Sequence, residues 1–221
     1  FTLSLGMGAM MVYGSYLPEG TSIAKTSVLV ALADTVVALL AGMAIFPLVF
    51  GNGLEPGAGP GLIFVTLPIA FGQMPLGQVV GGLFFVMLVI AALTSAISLS
   101  EPSIAWMTER FGLSRLKAVL VSGGLLWVLS LGSVFSFNLW ADYQLFGKTF
   151  FDSLDYLTTN WLMPLGGLMT VLFTGWVMKE QTVRDAIGIR HGGLFRAWWL
   201  LLRFGTPLAI VLVFLNLSGL I

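Results

Sequence analysis

Long apolar stretches alternate with short polar ones along this chain. Apolar windows at 28–50, 78–100, 118–137, 156–178 and 198–221 hold only two charges, Asp34 in the first and Arg203 in the last. Each window is about the 20 residues a helix needs to cross a bilayer. The pattern predicts spanning helices over about 28–50, 78–108, 116–137, 152–178 and 196–221. The stretch 1–16 is apolar but too short for a crossing, and reads as the second half of one. Segment 51–77 opens on GNGLEPGAGPG and continues as LIFVTLPIAFGQMP. Its apolar second half predicts a packed outer lid in place of a free linker. Gly-Gly pairs at 81–82, 123–124 and 166–167 predict close helix approach, and Pro207 predicts a kink in the last helix.

Composition turns this pattern into a class. Of 221 residues, 57% are hydrophobic and 9% charged, with 17 Phe and 7 Trp, whereas a soluble domain carries about 25% charge. A soluble enzyme, a nucleic-acid binder and a secreted disulfide scaffold are excluded, and a polytopic helical membrane protein remains. Net charge is zero, with no cysteine and one histidine, so thiolate chemistry and His-based metal sites drop out. No HExxH motif or deep carboxylate pair points to a membrane-embedded enzyme.

The charge sorts by loop. Lys25, Arg110, Arg115, Lys117, Lys179, Arg184, Arg190 and Arg196 fall in loops on one face, and Lys148 alone in a loop on the other. By the positive-inside rule, loops 17–27, 108–117 and 179–197 are expected to be cytoplasmic. Loops 51–77 and 138–151, with the C-terminus, are then expected outside.

Polar groups within spans are costly and functional by default. FTLSLGMGAMMVYGSY combines Ser4 with Gly6 and Gly8, inviting a local break of the kind at which transporters bind substrates and ions; glycine packing is the alternative. Asp34 needs a cation, a base or a water-filled route, unless it lies at the inner interface, a turn or two from Lys25. Thr94 and Ser95, with the Ala91 carbonyl one turn back, offer hard oxygens to Na⁺; alternatively, each hydroxyl bonds its own helix backbone. Asp152 and Asp155 share a helix face at spacing three. Capping accounts for Asp152, and Asp155 is the better gate candidate.

Four segments resemble one family in order. FTLSLGMGAMMVYGSY is similar to helix six of the neurotransmitter:sodium symporters, especially the bacterial amino-acid members. DTVVALLAGMAIFP resembles helix seven, AALTSAISLSEP helix eight and FDSLDYLTTNWLMPLGGL helix ten. The resemblance covers essentially the whole chain. It implies an all-α integral membrane protein: half of helix six plus helices seven to eleven of a leucine-transporter-like inverted-repeat fold. The five N-terminal helices are expected to be missing, so that 1–221 is the C-terminal part of one transmembrane domain.

The implied roles are specific. Phe1 resembles the aromatic lid over the substrate, and Thr2 a ligand of the first sodium, also counted on the substrate side. Ser4, Leu5 and Gly6 would be the unwound stretch at the substrate amino group. Met7 and Leu99 would line its side-chain pocket, giving a lean towards a hydrophobic or aromatic amino acid. The Ala91 carbonyl with Thr94 and Ser95 resembles the second sodium site, and Ser95 also borders the substrate. Asp155 resembles the outer-gate acid.

Asp34 falls where many relatives place a sodium-binding Asn, and Ala38 where chloride-dependent members keep a Ser. Asp34 is therefore expected to bind the first sodium and to supply the negative charge that chloride gives elsewhere, making chloride unnecessary. The resemblance implies sodium-coupled amino-acid symport by alternating access in a bacterial cytoplasmic membrane. The expected partners are the amino acid, the lipid bilayer and helices one to five, with no nucleic acid and no enzymatic reaction. Each sodium site would be half present, so the chain alone is expected to be inactive. The alternative is an inserted fragment with no independent binding.

Overall fold

The structure is a computed structural model, which describes residues 3–18, 20–55, 59, 61–188 and 192–217. Its regular elements are helical: α1 (Ala9–Ser15), α2 (Ile23–Gly51), α3 (Leu62–Gly72), α4 (Gly77–Phe111), α5 (Arg115–Phe135), α6 (Phe150–Val177), α7 (Glu180–Ile187) and α8 (Gly192–Asn216). The helices α2, α4, α5 and α8 are each long and apolar enough to cross a membrane, and α6 with α7 makes a fifth candidate bent by 110°. Val37, Leu93 and Leu120 are more than half exposed. An outward apolar surface of that kind calls for lipid or further protein against it.

The chain divides into two compact units, Phe1–Thr26 with Ser98–Ile221, and Ser27–Ile97. The core of the second unit is Val49, Leu67 and Phe71, with Phe84 and Phe85 packed on it. Helix α3 therefore seats the apolar half of segment 51–77 against the end of α2 and the start of α4. Leu76, at φ 60°, reverses the chain into Gly77, where a Cβ would overlap the Phe71 carbonyl.

In the first unit, Phe150 lies so close to Gly132 that a Cβ there would stand 2.5 Å from its ring. Helices α6 and α8 pair, with Trp161 edge-on to Phe214 at 5.2 Å and Trp176 edge-on to Phe204 at 5.5 Å. Val183 of α7 and Phe195 and Trp199 of α8 form a separate buried cluster beyond the bend.

Prolines shape three of these helices. Wide π-helical turns at Leu62–Thr66, Leu157–Leu162 and Leu201–Gly205 each end two residues before a proline, at Pro68, Pro164 and Pro207. Proline removes an i→i−4 hydrogen bond and crowds the carbonyl one turn back. The preceding turn widens to relieve this. The carbonyl that Pro207 cannot serve, that of Arg203, instead accepts the Trp176 indole N–H at 3.2 Å.

The glycine pairs differ in use. Gly81 abuts the Phe71 ring and Gly166 the Gly6 backbone, but nothing among the described residues lies within 4 Å of a Cβ built on Gly123 or Gly124. Helix α5 presents that pair outward, with no partner for it among the described residues.

Candidate functional site

The break foreshadowed by the Ser4–Gly8 run is real and local. Ser4 sits in the left-handed region at φ 52°, Leu5–Met7 make a single 3₁₀ turn, and Gly8 follows at φ 81°. Only then does α1 begin, with the Met11 amide donating to the Gly8 carbonyl at 3.1 Å. A non-glycine residue at positive φ is uncommon and marks strain held by its surroundings. What holds it is backbone on backbone. A Cβ on Gly6 would overlap the Met163 carbonyl, and one on Gly166 would overlap the Gly6 carbonyl. The break is thus clamped to the middle of α6, where the turn before Pro164 is already widened.

Beside this clamp lies a cavity of about 360 Å³, bordered by Ser4–Gly6, by Thr159 and Pro164 of α6, and by Thr206 and Ile210 of α8. Its walls are mostly apolar, with hydroxyls at Ser4, Thr159 and Thr206. Thr159 donates to Asp155 Oδ1 at 3.2 Å, which ties the acid one turn above to the cavity wall. Asp152 does different work. Its Oδ2 accepts from the Thr149 amide and hydroxyl while its own amide donates to Thr149 Oγ1 at 3.2 Å. That is a reciprocal capping box at the start of α6.

The remaining sequence candidates distribute as follows. Phe1 and Thr2 lie outside the described residues. Met7 closes the 3₁₀ turn. Asp34 is half-buried in α2, about 16 Å along the axis from the helix start at 1.5 Å per residue. It therefore lies well inside the apolar window and well past Lys25. Ala91, Thr94, Ser95 and Leu99 are exposed along one continuous stretch of α4. Thr94 Oγ1 donates to the Ala91 carbonyl at 2.9 Å, the within-helix bond that the sequence sets against a sodium site. Among the described residues no cluster of three His, Cys, Asp or Glu forms a metal centre.

One feature carries no local sequence signal. Tyr13 and Tyr16, three apart on α1 and just past its end, meet Ser98 and Glu101, three apart on α4. Tyr13 donates to Ser98 Oγ at 2.5 Å, and Tyr16 to Glu101 Oε1 at 2.8 Å. Arg115, at the start of α5, donates to both Glu101 oxygens at 2.8 and 3.0 Å. Glu101 is 6% exposed and polar partners hold its charge, while the Arg115 side chain is 65% exposed. Three elements are thereby tied through one carboxylate.

Comparison with known proteins gives this geometry a family. Residues 1–218 match the model of the sodium:neurotransmitter symporter family. A sodium-dependent transporter of Bacillus subtilis, YhdH, is 40% identical over all of this chain and 50% of its own length. A sodium-dependent transporter of Haemophilus influenzae is 34% identical over 98% of the chain and 48% of its own length. The crystal structure of MhsT in complex with L-phenylalanine superposes with a TM-score of 0.90 at 40% identity, over 98% of this chain and 49% of that one. The chain thus spans about half the length of the relatives it matches, and its helices follow half of a leucine-transporter-type fold. It belongs to the sodium:neurotransmitter symporter family.

Proposed function

We propose that this chain supplies one part of a sodium-coupled amino-acid symporter, the activity being that of a protein of the relatives' length. The observation that carries the reading is the broken segment Ser4–Gly8, clamped by Gly6 against Gly166 in mid-helix. A break there frees backbone carbonyls and amides for a zwitterion in a span that otherwise satisfies its own hydrogen bonds. Leu5 and Gly6 offer those groups to the amino end of the substrate, and Met7 and Leu99 line its side-chain pocket. Phe1 covers the substrate as lid, and Ser4 and Ser95 border it. That MhsT binds L-phenylalanine supports a hydrophobic or aromatic amino acid.

Two sodium ions are cargo and coupling agent together. One takes Thr2 and Asp34, and the other takes the Ala91 carbonyl with Thr94 and Ser95. Asp34 supplies the local negative charge that makes chloride unnecessary, since a cation in low dielectric favours an anion within a few ångströms. Sodium occupancy then raises substrate affinity by linkage, and substrate raises sodium affinity by the same factor. Asp155 gates the outer side from the top of α6, and the loops at 17–27, 108–117 and 179–197 face the cytoplasm. No bond of the substrate is made or broken, so the reading is transport and not catalysis.

The test is uptake of labelled L-phenylalanine into vesicles bearing a protein of the relatives' length that contains this chain. Uptake driven by an inward sodium gradient, and abolished when potassium replaces sodium, supports the reading. Uptake indifferent to sodium contradicts it.

A further inference from the structure

Arg203 is a charge in an apolar place with no acidic partner among the described residues. It lies within the apolar span of α8, and its guanidinium carbon stands 4.3 Å from the Trp176 ring centroid and 5.9 Å from that of Phe204. Its Nε is buried without a hydrogen-bond partner. Among the described residues the ion pair formed is Arg115–Glu101, so Arg203 meets no carboxylate there. Its residual exposure belongs to other atoms than Nε, because the residue as a whole is only half-buried.

The surroundings fix the depth. Trp176 is the next-to-last residue of α6, and one residue later the chain turns through 110° into α7. A helix turned so sharply does not continue the crossing, and a polar one in that position suits the membrane surface. Helix α7, EQTVRDAI, is polar apart from Val183, Ala186 and Ile187, of which Val183 and Ile187 pack on Phe195 and Trp199. Trp176 therefore stands at the level where one face of the bilayer meets water, the usual place for tryptophan. It is 53% exposed, Phe204 is 55% exposed, and Phe173, Val177, Leu201 and Leu208 are all more than half exposed. The result is an outward apolar wall with one stacked guanidinium in it, close to the end of a candidate spanning helix.

We propose that Arg203 and Trp176 form a binding site for an anionic phospholipid. The lipid phosphate pairs with the outward guanidinium nitrogens, the indole marks the headgroup boundary, and the acyl chains run along the Phe173–Leu208 wall. Arginine suits this role because its planar group stacks on the ring and still presents a fork of donors to phosphate. Fixing Trp176 through the Arg203 carbonyl, freed by Pro207, keeps both halves of the site on one rigid seam. Membrane insertion is all that this requires, and it stands or falls independently of transport.

The experiment places the full chain in nanodiscs of phosphatidylcholine containing graded amounts of dibrominated phosphatidylglycerol or dibrominated phosphatidylcholine. Quenching of Trp176 is read as the difference between the native chain and Trp176→Phe. The expected result is half-quenching at an about fivefold lower fraction of the anionic lipid, the preference one basic residue near an anionic surface gives. Arg203→Gln should bring the two lipids to parity, and Arg203→Lys should retain part of the preference. Arg196→Gln should leave it intact. Parity in the native chain overturns the proposal without recourse to any variant, as does a preference that survives in Arg203→Gln. Loss of the preference on adding inorganic phosphate overturns the lipid as the source of the anion.

Discussion

Tyr16 donates its phenolic hydrogen to Glu101 Oε1 at 2.8 Å, joining residues 85 positions apart. Glu101 is buried and shares the same oxygen with Arg115, so the end of α1, the last third of α4 and the start of α5 meet on one carboxylate. Replacing Tyr16 by Phe keeps the ring and removes the donor. The expected loss is about 1.5–3 kcal/mol, the range for a hydrogen bond to a charged group, read as a lowered unfolding midpoint in detergent. The Tyr16→Phe and Glu101→Gln changes should be non-additive in a double-mutant cycle, because they share one interaction. Additive effects would mean that the two side chains do not meet.

Gly166 and Gly6 make the clamp by touching backbone to backbone. Gly166→Ala should therefore separate α6 from the broken segment and lower stability by about 1–3 kcal/mol, the usual cost of overpacking. Gly123→Ala, where a Cβ meets open space, should be neutral or stabilising by about 1 kcal/mol through helix propensity. Equal effects at the two positions would remove the distinction between packing and free glycines.

The two aspartates of α6 should separate by assay. Asp152→Ala removes the capping box and should cost about 1 kcal/mol, with faster hydrogen exchange confined to the first turn of α6. Asp155→Asn loses the charge beside Thr159 but leaves the cap, so stability should hold while transport by the full-length protein falls. A transport defect in Asp152→Ala greater than in Asp155→Asn would reverse the assignment.

Asp34→Asn removes a negative charge well inside an apolar span. In a protein of the relatives' length, sodium affinity should fall, or chloride should become necessary for transport. Titration of uptake against each ion reads both outcomes. Unchanged, chloride-indifferent transport would show that Asp34 serves neither role.

The spanning helices were legible because about twenty apolar residues can do little else in a chain with so few charges. The break was half legible, since Ser4, Gly6 and Gly8 weaken a helix locally but the same glycines read equally as packing positions, and Gly6 does pack against α6. Pro207 announced a disturbance but not its form. Pro47 and Pro102 lie inside helices without a widened turn before them, so proline alone does not decide. The Tyr13–Ser98 and Tyr16–Glu101 pairs were invisible, because nothing local to positions 13–16 or 98–101 encodes which tyrosine meets which acceptor. The stacking of Arg203 on Trp176 escaped for the same reason, a separation of 27 residues bridged only by the pairing of α6 with α8. Thr94 was readable as a hydroxyl near the Ala91 carbonyl, since helix geometry fixes that distance. The sodium role proposed for it needs partners beyond the helix, which the local sequence does not encode.

Sodium-dependent binding of labelled L-phenylalanine, measured on a protein of the relatives' length before and after Thr94→Val, tests the central claim most directly. The account predicts binding in sodium and none in potassium, with the sodium concentration for half-saturation raised at least about tenfold by loss of the Thr94 hydroxyl, equivalent to about 1.4 kcal/mol. Binding of equal strength in potassium, or a sodium dependence untouched by Thr94→Val, would contradict it.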